Sequence, residues 1–186
     1  MAQITFVRHG QTEWNRIERV QGKTDNPLNN NGKDQATKAA PKLKDTQWDV
    51  IYSSPLIRAL QTAQIICDEL DIEERIHLED GFAERNFGPL EGGNYDAFRE
   101  AMDNKLELDG LETETEIMTR VRTAADKAIE WYPGKNILVF CHSHVIKAML
   151  TSVDPEHYNF RSPLANLAIV TFEYDGNGNY QLLSIE

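Results

Sequence analysis

The sequence of 186 residues is 40% hydrophobic and carries a formal net charge of −11. A chain of this length is expected to form one domain and to bury roughly 70% of its unfolded surface, without needing a disulfide. The negative charge argues against nonspecific binding to nucleic acid or anionic membranes, and no apolar run approaches the ~20 residues of a transmembrane helix. Cys67 and Cys141 both lie in apolar stretches, from which we expect reduced thiols in a cytoplasmic protein.

The acidic residues are concentrated between positions 68 and 116. This segment contains 17 Asp and Glu residues against four Arg and Lys, whereas the rest of the chain contains 13 acidic and 15 basic residues. The remaining sequence is therefore free to be electropositive where an anion binds.

The first pattern with chemical meaning is a short apolar strand, residues 4–7, that stops at Arg8, His9 and Gly10. Ligands of α/β proteins bind at the carboxyl ends of strands, and glycine permits a close approach of the backbone. An arginine and a histidine at such a place indicate an anion site. On its own, this tripeptide is more often a turn with two solvated side chains.

The next segments alternate between loop, helix and strand. Residues 16–31 are polar and typical of loops, and residues 33–44 have the apolar spacing of a helix. Pro41 lies inside that helix and should kink or shorten it, because proline removes a backbone hydrogen bond. Residues 48–52 form a second predicted strand.

Ser54 and Pro55 then predict a helix start, with the serine as N-cap and the proline at the first helical position. Arg58 falls in the first turn of this helix. A cation there opposes the helix dipole by ~0.3–1 kcal/mol unless an anion lies nearby. Either a bound phosphate explains the position of Arg58, or Arg58 is a solvated side chain on the outer face of the helix.

Residues 76–79 predict a third strand, and residues 80–111 are an irregular, acidic insertion with one helical patch, formed by Tyr95, Phe98, Met102 and Leu106. We call residues 80–111 the lid segment, because we expect them to cover the site. Thr113 and Glu116 form a capping-box pattern at the start of a helix that continues to Trp131.

The last third of the chain predicts one more strand–helix unit and a hairpin. Residues 136–141 are the most hydrophobic run and predict a central strand; His142 follows it and precedes a helix over 143–152. Residues 167–174 and 180–185 predict a closing β-hairpin. The alternation predicts one α/β domain over 1–186, with three layers and a mostly parallel sheet.

Residues 8–15, Arg-His-Gly-Gln-Thr-Glu-Trp-Asn, resemble the signature of the histidine phosphatase superfamily, the phosphoglycerate-mutase-like enzymes. Two further motifs follow in the order of that family. Residues 54–63 resemble its second phosphate-binding motif, and residues 84–92 are similar to its Glu-x-x-x-Gly-x-x-Glu-Gly segment. The resemblance covers nearly the whole chain. It implies a phosphoglycerate-mutase-like α/β/α fold and an enzyme that transfers phosphoryl groups.

Phosphoryl transfer needs cations around the phosphate oxygens, a nucleophile and a proton for the leaving oxygen. The resemblance makes His9 the nucleophile, which becomes phosphohistidine, and Glu84 the proton donor. A loop carboxylate such as Glu84 would otherwise be taken for a solvated charge. For His142 the alternative is a packed histidine that bonds to the backbone. The implied phosphate- or substrate-binding positions are Arg8, Arg58, His142, Ser143, Asn15, Gln21 and Gly22.

Three positions depart from the family pattern. Ser143 and His144 stand where the family commonly has glycines, and Leu111 stands where a second glycine is usual. We expect His144 to be exposed on its helix; the alternative is an extra contact with the substrate.

The function expected from the sequence is a histidine acid-type phosphatase, a phosphomonoesterase for small phosphorylated metabolites that needs no cofactor and no metal. One alternative is a phosphoglycerate mutase, which has the same site but must protect its phosphohistidine from water. The short, acidic lid segment favours hydrolysis, because like charge weakens retention of a bisphosphorylated intermediate. The other alternative is a non-catalytic phosphate-binding or interaction module.

Overall fold

A computed structural model describes residues 1–104 and 106–186 of the chain. Its strands are β1 (Ala2–Arg8), β2 (Val50–Ser53), β3 (Ile76–Leu78), β4 (Asn136–Cys141), β5 (Ile169–Tyr174) and β6 (Tyr180–Ile185). Its α-helices are α1 (Glu13–Arg16), α2 (Asn30–Ala39), α3 (Ile57–Glu69), α4 (Tyr95–Asp103), α5 (Glu114–Trp131) and α6 (Ser143–Val153). No helix in this part of the chain is both long and apolar enough to cross a membrane.

The six strands form one sheet in the order β3-β2-β4-β1-β5-β6. The first four in this order are parallel to their neighbours, while β5 runs antiparallel to both β1 and β6. The predicted central strand β4 does lie between β2 and β1, and from Ile137 to Cys141 every residue is buried. The predicted mostly parallel sheet is confirmed.

Helices cover both faces of the sheet. Alternate side chains of β1 divide between two cores, with Ile4 and Phe6 packing toward α5 and α6, and Val7 packing toward α2 and α3. The same alternation along β4 sends Val139 to the first core and Phe140 to the second. The predicted three-layer α/β/α arrangement is thereby confirmed.

The first long helix differs from its predicted bounds. It begins at Asn30, three residues earlier than predicted, because the Asn29 side chain accepts a hydrogen bond from the N–H of Gly32 and caps it. It ends at Ala39, and Pro41 lies in a following 3-10 turn, Ala40–Leu43. The expectation that this proline shortens the helix is confirmed.

The predicted start of α3 is two residues too early. Ser54 and Pro55 precede the helix, whose N-cap is Leu56, a residue without a side-chain cap. The Ser54 hydroxyl accepts from the N–H of Leu56 at 3.2 Å, before the helix begins, and lies 2.7 Å from Nε2 of His142. Arg58 is therefore the second helical residue, still in the first turn.

Three of the four residues of the predicted helical patch, Tyr95, Phe98 and Met102, do lie in a helix, α4. Phe98 of α4 is buried against Val20 and Phe87, with Met102 beside them. Leu106 is exposed and lies outside α4, so its predicted place in the helical patch is wrong. The lid segment is thus tied to the loop after β1 by a small apolar cluster of its own.

The cap of α5 gives a test of how local sequence stabilises this fold. The Thr113 hydroxyl accepts from the N–H of Glu116, whose carboxylate accepts from the N–H of Thr113. We expect Thr113→Ala to lower the free energy of unfolding by about 1 kcal/mol, because the N–H of Glu116 loses the hydroxyl that accepts its hydrogen bond. Urea unfolding measures this change. The matched control is Thr115→Ala in the same turn, expected to stay within about 0.5 kcal/mol of wild type; equal losses would contradict the assigned cap.

Candidate active site

Three parallel strands end at the same edge of the sheet, and each is followed by a polar side chain. His9 follows β1, Ser54 follows β2 and His142 follows β4. The N–H of His9 donates to the carbonyl of Cys141 at 3.0 Å, so the ladder continues past the strand. The His9 and His142 rings lie 5.2 Å apart, centre to centre. The two histidines predicted to converge therefore do so.

The His9 ring is fixed in one orientation. Its Nδ1 lies 2.6 Å from the carbonyl oxygen of Gly10, and because a carbonyl only accepts, Nδ1 carries the proton. Nε2 is then the nitrogen with the free lone pair. Burial, with Arg58 and Arg8 nearby, holds the pKa of His9 well below its usual value. The ring is thus neutral near pH 7, the form in which imidazole acts as a nucleophile.

Arg58 is fully buried, so the solvated alternative for it is wrong. Its terminal nitrogens donate to the carbonyls of Thr24 at 2.9 Å and Gly22 at 2.8 Å. Burial lowers its pKa to about 10, which leaves it charged at neutral pH. Its Nε is buried and has no partner in the described part of the chain.

The loop that holds Arg58 is itself held by the lid segment. The Glu91 carboxylate accepts hydrogen bonds from the N–H groups of Gly22 and Thr24, the same residues whose carbonyls bind Arg58. A Cβ on Gly22 would lie 2.6 Å from the carbonyl oxygen of Arg85. Gly22 is therefore needed for this close backbone approach.

Arg8 is partly buried at the end of β1. One of its terminal nitrogens donates to the carbonyl of Leu164, and its Nε has no partner among the described residues. Burial lowers its pKa, and the facing carboxylate of Glu84 acts in the opposite direction. Both predicted phosphate-binding arginines thus lie at the carboxyl edge of the sheet, and the charge of Glu84 raises the pKa of both.

Glu84 is 4% exposed and is not the solvated loop charge that its sequence context suggests. Its carboxylate accepts from the N–H of Arg85 at 2.8 Å and of His144 at 3.5 Å. Burial raises its pKa, although the Arg85 N–H, Arg58 and Arg8 oppose the increase. Arg120 on α5 fixes this segment by donating to the carbonyls on either side of Phe82.

His142 and two hydroxyl residues complete the interior of the site. His142 is fully buried and contacts Ser54 through Nε2. Thr62 accepts from the N–H of Gly10 at 3.1 Å and donates to the carbonyl of Arg58 at 2.8 Å. Ser54 and Thr62 were not among the predicted site residues, although both lie in the motif over 54–63 that carries the family resemblance.

Asn15 and Gln21 lie close to His9 and line the same small cavity. Asn15 forms a capping box with Thr12, which begins the short helix α1, an element not predicted from the sequence. The side-chain oxygen of Gln21 accepts from the Thr12 hydroxyl at 2.9 Å and from Asn26 at 3.0 Å. Ser143, the first residue of α6, also lines this cavity, where helix-end N–H groups have no helical partner.

The expectation that His144 is exposed is wrong. The residue is 3% exposed, and its ring lies 5.0 Å from that of Phe87 and 5.4 Å from that of Phe160. These rings come from the lid segment and from the loop after α6. They cover the face of α6 that carries His144, which the sequence of α6 alone predicts to be exposed.

A larger outer cavity, about 540 Å³, adjoins the small one. The two share the side chains of Arg8, Tyr95, Phe98, Ser143 and His144. Its charged lining is mainly basic, with the acidic side chains Asp103 and Glu114 against five basic ones, namely Arg8, Arg85, Arg99, Lys147 and Arg161. The negative charge of the lid segment is therefore not concentrated on this cavity.

Comparisons with known proteins agree with this geometry. The uncharacterized phosphatase PhoE of Bacillus subtilis is 35% identical over 181 residues, 94% of this chain and 89% of PhoE. The probable phosphoglycerate mutase GpmB of Photorhabdus laumondii is 31% identical over 94% of this chain and 86% of GpmB. A phosphoserine phosphatase mutant from Entamoeba histolytica, solved in complex with phosphoserine, has a TM-score of 0.84 and 28% identity over 100% of this chain and 96% of that one.

A family model described as histidine phosphatase superfamily (branch 1) matches residues 4–185, nearly the entire sequence. In the described residues, no group of three or more His, Cys, Asp or Glu side chains is placed to hold a metal ion. The chain belongs to the histidine phosphatase superfamily.

Proposed function

We propose that this protein is a phosphomonoesterase of the histidine acid type that hydrolyses small phosphorylated metabolites through phospho-His9, without a cofactor or metal. The observation that carries the proposal is the neutral His9 ring, aimed by the Gly10 carbonyl and placed beside Arg58, His142 and a buried Glu84. The phosphatase names of PhoE and of the Entamoeba enzyme support it. The two buried, unpaired cysteines are consistent with a cytoplasmic location.

In the first step, Nε2 of His9 attacks the phosphorus atom and the bond from phosphorus to the ester oxygen breaks. Protonated Glu84 gives its proton to that oxygen, which leaves as an alcohol. Arg8 and Arg58 supply the positive charge that stabilises the phosphoryl oxygens, as metal ions do in other phosphatases. Burial favours the neutral form of Glu84, as this role requires.

In the second step, the Glu84 carboxylate accepts a proton from water, whose oxygen attacks the phosphorus atom. The bond between phosphorus and Nε2 breaks, and inorganic phosphate leaves with His9 restored. One carboxyl group thus serves as acid and then as base. The non-catalytic alternative is disfavoured because both the nucleophile and the proton donor are present and buried together.

A phosphoglycerate mutase is the second candidate, favoured by the similarity to GpmB. Hydrolysis remains our proposal, because we expect the short lid segment to admit water to phospho-His9. The electrostatic reason given by the sequence no longer supports this choice, since the outer cavity has a mainly basic lining. The choice between hydrolysis and mutase chemistry then depends only on whether water reaches phospho-His9.

The nucleophile is tested by His9→Ala, which we expect to reduce turnover to background without unfolding the protein, because the role of His9 is covalent. Phosphate release from 4-nitrophenyl phosphate measures the loss. Alkaline rapid quench with mass spectrometry should find phosphate on His9 in wild type. The control is His157→Ala, an exposed histidine paired with Asp154, expected to keep wild-type activity. Substantial turnover by His9→Ala would remove His9 as nucleophile.

The proton donor is tested by Glu84→Gln, which keeps the size of the side chain but removes its proton. We expect an alkyl phosphate to lose ~10²–10⁴-fold in phosphorylation rate, because its leaving oxygen needs a proton. A 4-nitrophenyl ester has a good leaving group and should lose much less. Single-turnover quench measures both, with the exposed Glu100→Gln as control. Equal losses for the two esters would point to a different acid.

The choice between hydrolysis and mutase chemistry is tested with 3-phosphoglycerate and 2,3-bisphosphoglycerate together. We expect phosphate release to exceed formation of 2-phosphoglycerate, because water reaches phospho-His9 before a second acceptor is rephosphorylated. Both products are followed over the same time course. Isomerisation much faster than phosphate release would make the mutase the better assignment.

A further inference from the structure

The outer cavity contains two buried cations that make no ion pair in the described part of the chain. Arg85 is 3% exposed and Lys147 is 8% exposed, and both line this cavity. Neither forms a salt bridge with any carboxylate that the structure describes. Charges are rarely buried without a partner, because losing hydration costs several kcal/mol. Two of them in one cavity indicate a site for an anion.

Both cations and one further polar side chain are arranged around Phe160. The Arg85 guanidinium lies 5.6 Å from the Phe160 ring, and the Lys147 ammonium donates to the Phe160 carbonyl at 3.1 Å. The His144 ring lies 5.4 Å from the same ring, and its Nδ1 is buried without a partner among the described residues. The lid segment, α6 and the loop after α6 thus bring two buried cations and one unpartnered imidazole nitrogen together around Phe160. Arg85 also donates through Nε to the carbonyl of Glu112 at 2.7 Å.

The remaining charges of the cavity limit the charge of the ligand. Arg161 is paired with Asp103, and Arg99 is exposed and lies near Asp96. Glu114 is the carboxylate of the lining that makes no salt bridge among the described residues. Arg8 is assigned to the phosphoryl oxygens, so Arg85 and Lys147 stand against Glu114, which leaves an excess of one positive charge for the rest of the ligand. A monovalent carboxylate matches this excess better than a dianionic phosphate does.

The position of the cavity shows which part of a substrate reaches it. The small cavity, which His9 and Glu84 line, shares Arg8 and His144 with the outer cavity, so a group bonded to phosphate at His9 has room to extend from the first into the second. The ester oxygen lies on that side, since Glu84 is the proposed proton donor. The outer cavity therefore receives the alcohol part of the ester.

We propose that Arg85, His144 and Lys147 form a binding subsite for a carboxylate on the alcohol part of the phosphate ester, so that the enzyme selects phosphate esters of hydroxy acids. This inference rests on the proposed phosphatase function, which sets the direction of the alcohol part. We assign the selection to Lys147, because Arg85 also donates to the carbonyl of Glu112 and lies over the Phe87 ring, whereas the Lys147 ammonium has one backbone acceptor among the described residues. The wall of the subsite is formed by Phe160.

The protonation of Lys147 agrees with this assignment. Burial is the main reason that its pKa falls to about 8; the facing carboxylate of Glu84 raises it, and Arg8 lowers it further. The ammonium is therefore still mostly protonated at pH 7. A carboxylate bound beside it would favour the charged form.

The test compares 3-phosphoglycerate with glycerol 3-phosphate, which differ in having a carboxylate or a hydroxymethyl group at the far end. We expect wild type to have the higher kcat/KM for 3-phosphoglycerate. Lys147→Gln should lower that value roughly tenfold to a hundredfold, as for a lost charge-assisted hydrogen bond, and change the value for glycerol 3-phosphate by less than about twofold. The control is Arg161→Gln, a cation of the same cavity that Asp103 already pairs.

Binding to the His9→Ala variant separates the subsite from the proposed reaction. Calorimetry at pH 7 should give tighter binding of 3-phosphoglycerate than of glycerol 3-phosphate, and this preference should vanish when Lys147→Gln or Lys147→Met is added. Failure of wild type to release phosphate, with the binding preference intact, would refute the proposed function alone. Equal affinities in His9→Ala, or equal kcat/KM losses for both esters in Lys147→Gln, would overturn the subsite. The comparison of the two ligands in His9→Ala tests the subsite even if the lysine variants unfold.

Discussion

The site depends on burying the guanidinium of Arg58 beside a histidine that must stay neutral. An ion removed from water needs hydrogen bonds to remain charged, and Arg58 obtains them from the carbonyls of Gly22 and Thr24. These acceptors are neutral dipoles, so the positive charge is kept available for an anion. The same charge, added to the effect of burial, lowers the pKa of His9. One buried cation thus prepares both the anion site and the nucleophile.

This requirement connects the lid segment to the phosphate site. Glu91 accepts from the N–H groups of the two residues whose carbonyls bind Arg58, so one carboxylate fixes the loop that carries the acceptors. Partial burial by itself would raise the pKa of Glu91, but these hydrogen bonds lower it overall. Glu91 is therefore an anion that organises backbone, whereas burial raises the pKa of Glu84. The surroundings of these two carboxylates, seven positions apart in the sequence, thus shift their pKa values in opposite directions.

The sequence predicts those features that depend on local pattern. The apolar run of β4, the capping box at Thr113 and the helix end before Pro41 are each set by neighbouring residues, and the structure has all three. Features that depend on distant contacts were missed. Ser54 fits the N-cap pattern, but its hydroxyl binds the N–H of Leu56 before the helix begins and also contacts His142, 88 positions away. The sequence of α6 predicts an exposed His144, but aromatic rings from two other segments cover it.

The charge around the site is a second feature that the sequence pattern does not predict. The acidic residues of positions 68–116 sum to a strongly negative segment, yet the cavity beside that segment has a mainly basic lining. Side chains only a few residues apart on a helix or loop point in different directions, and exposed charges beyond the Debye length of ~8 Å are largely screened. The charge that an entering ester meets is thus set by the few side chains facing it, Arg85 and Lys147 among them. For the same reason, retention of a phosphorylated intermediate depends on what the cavity walls bind and how much water they admit, rather than on the composition of the lid segment.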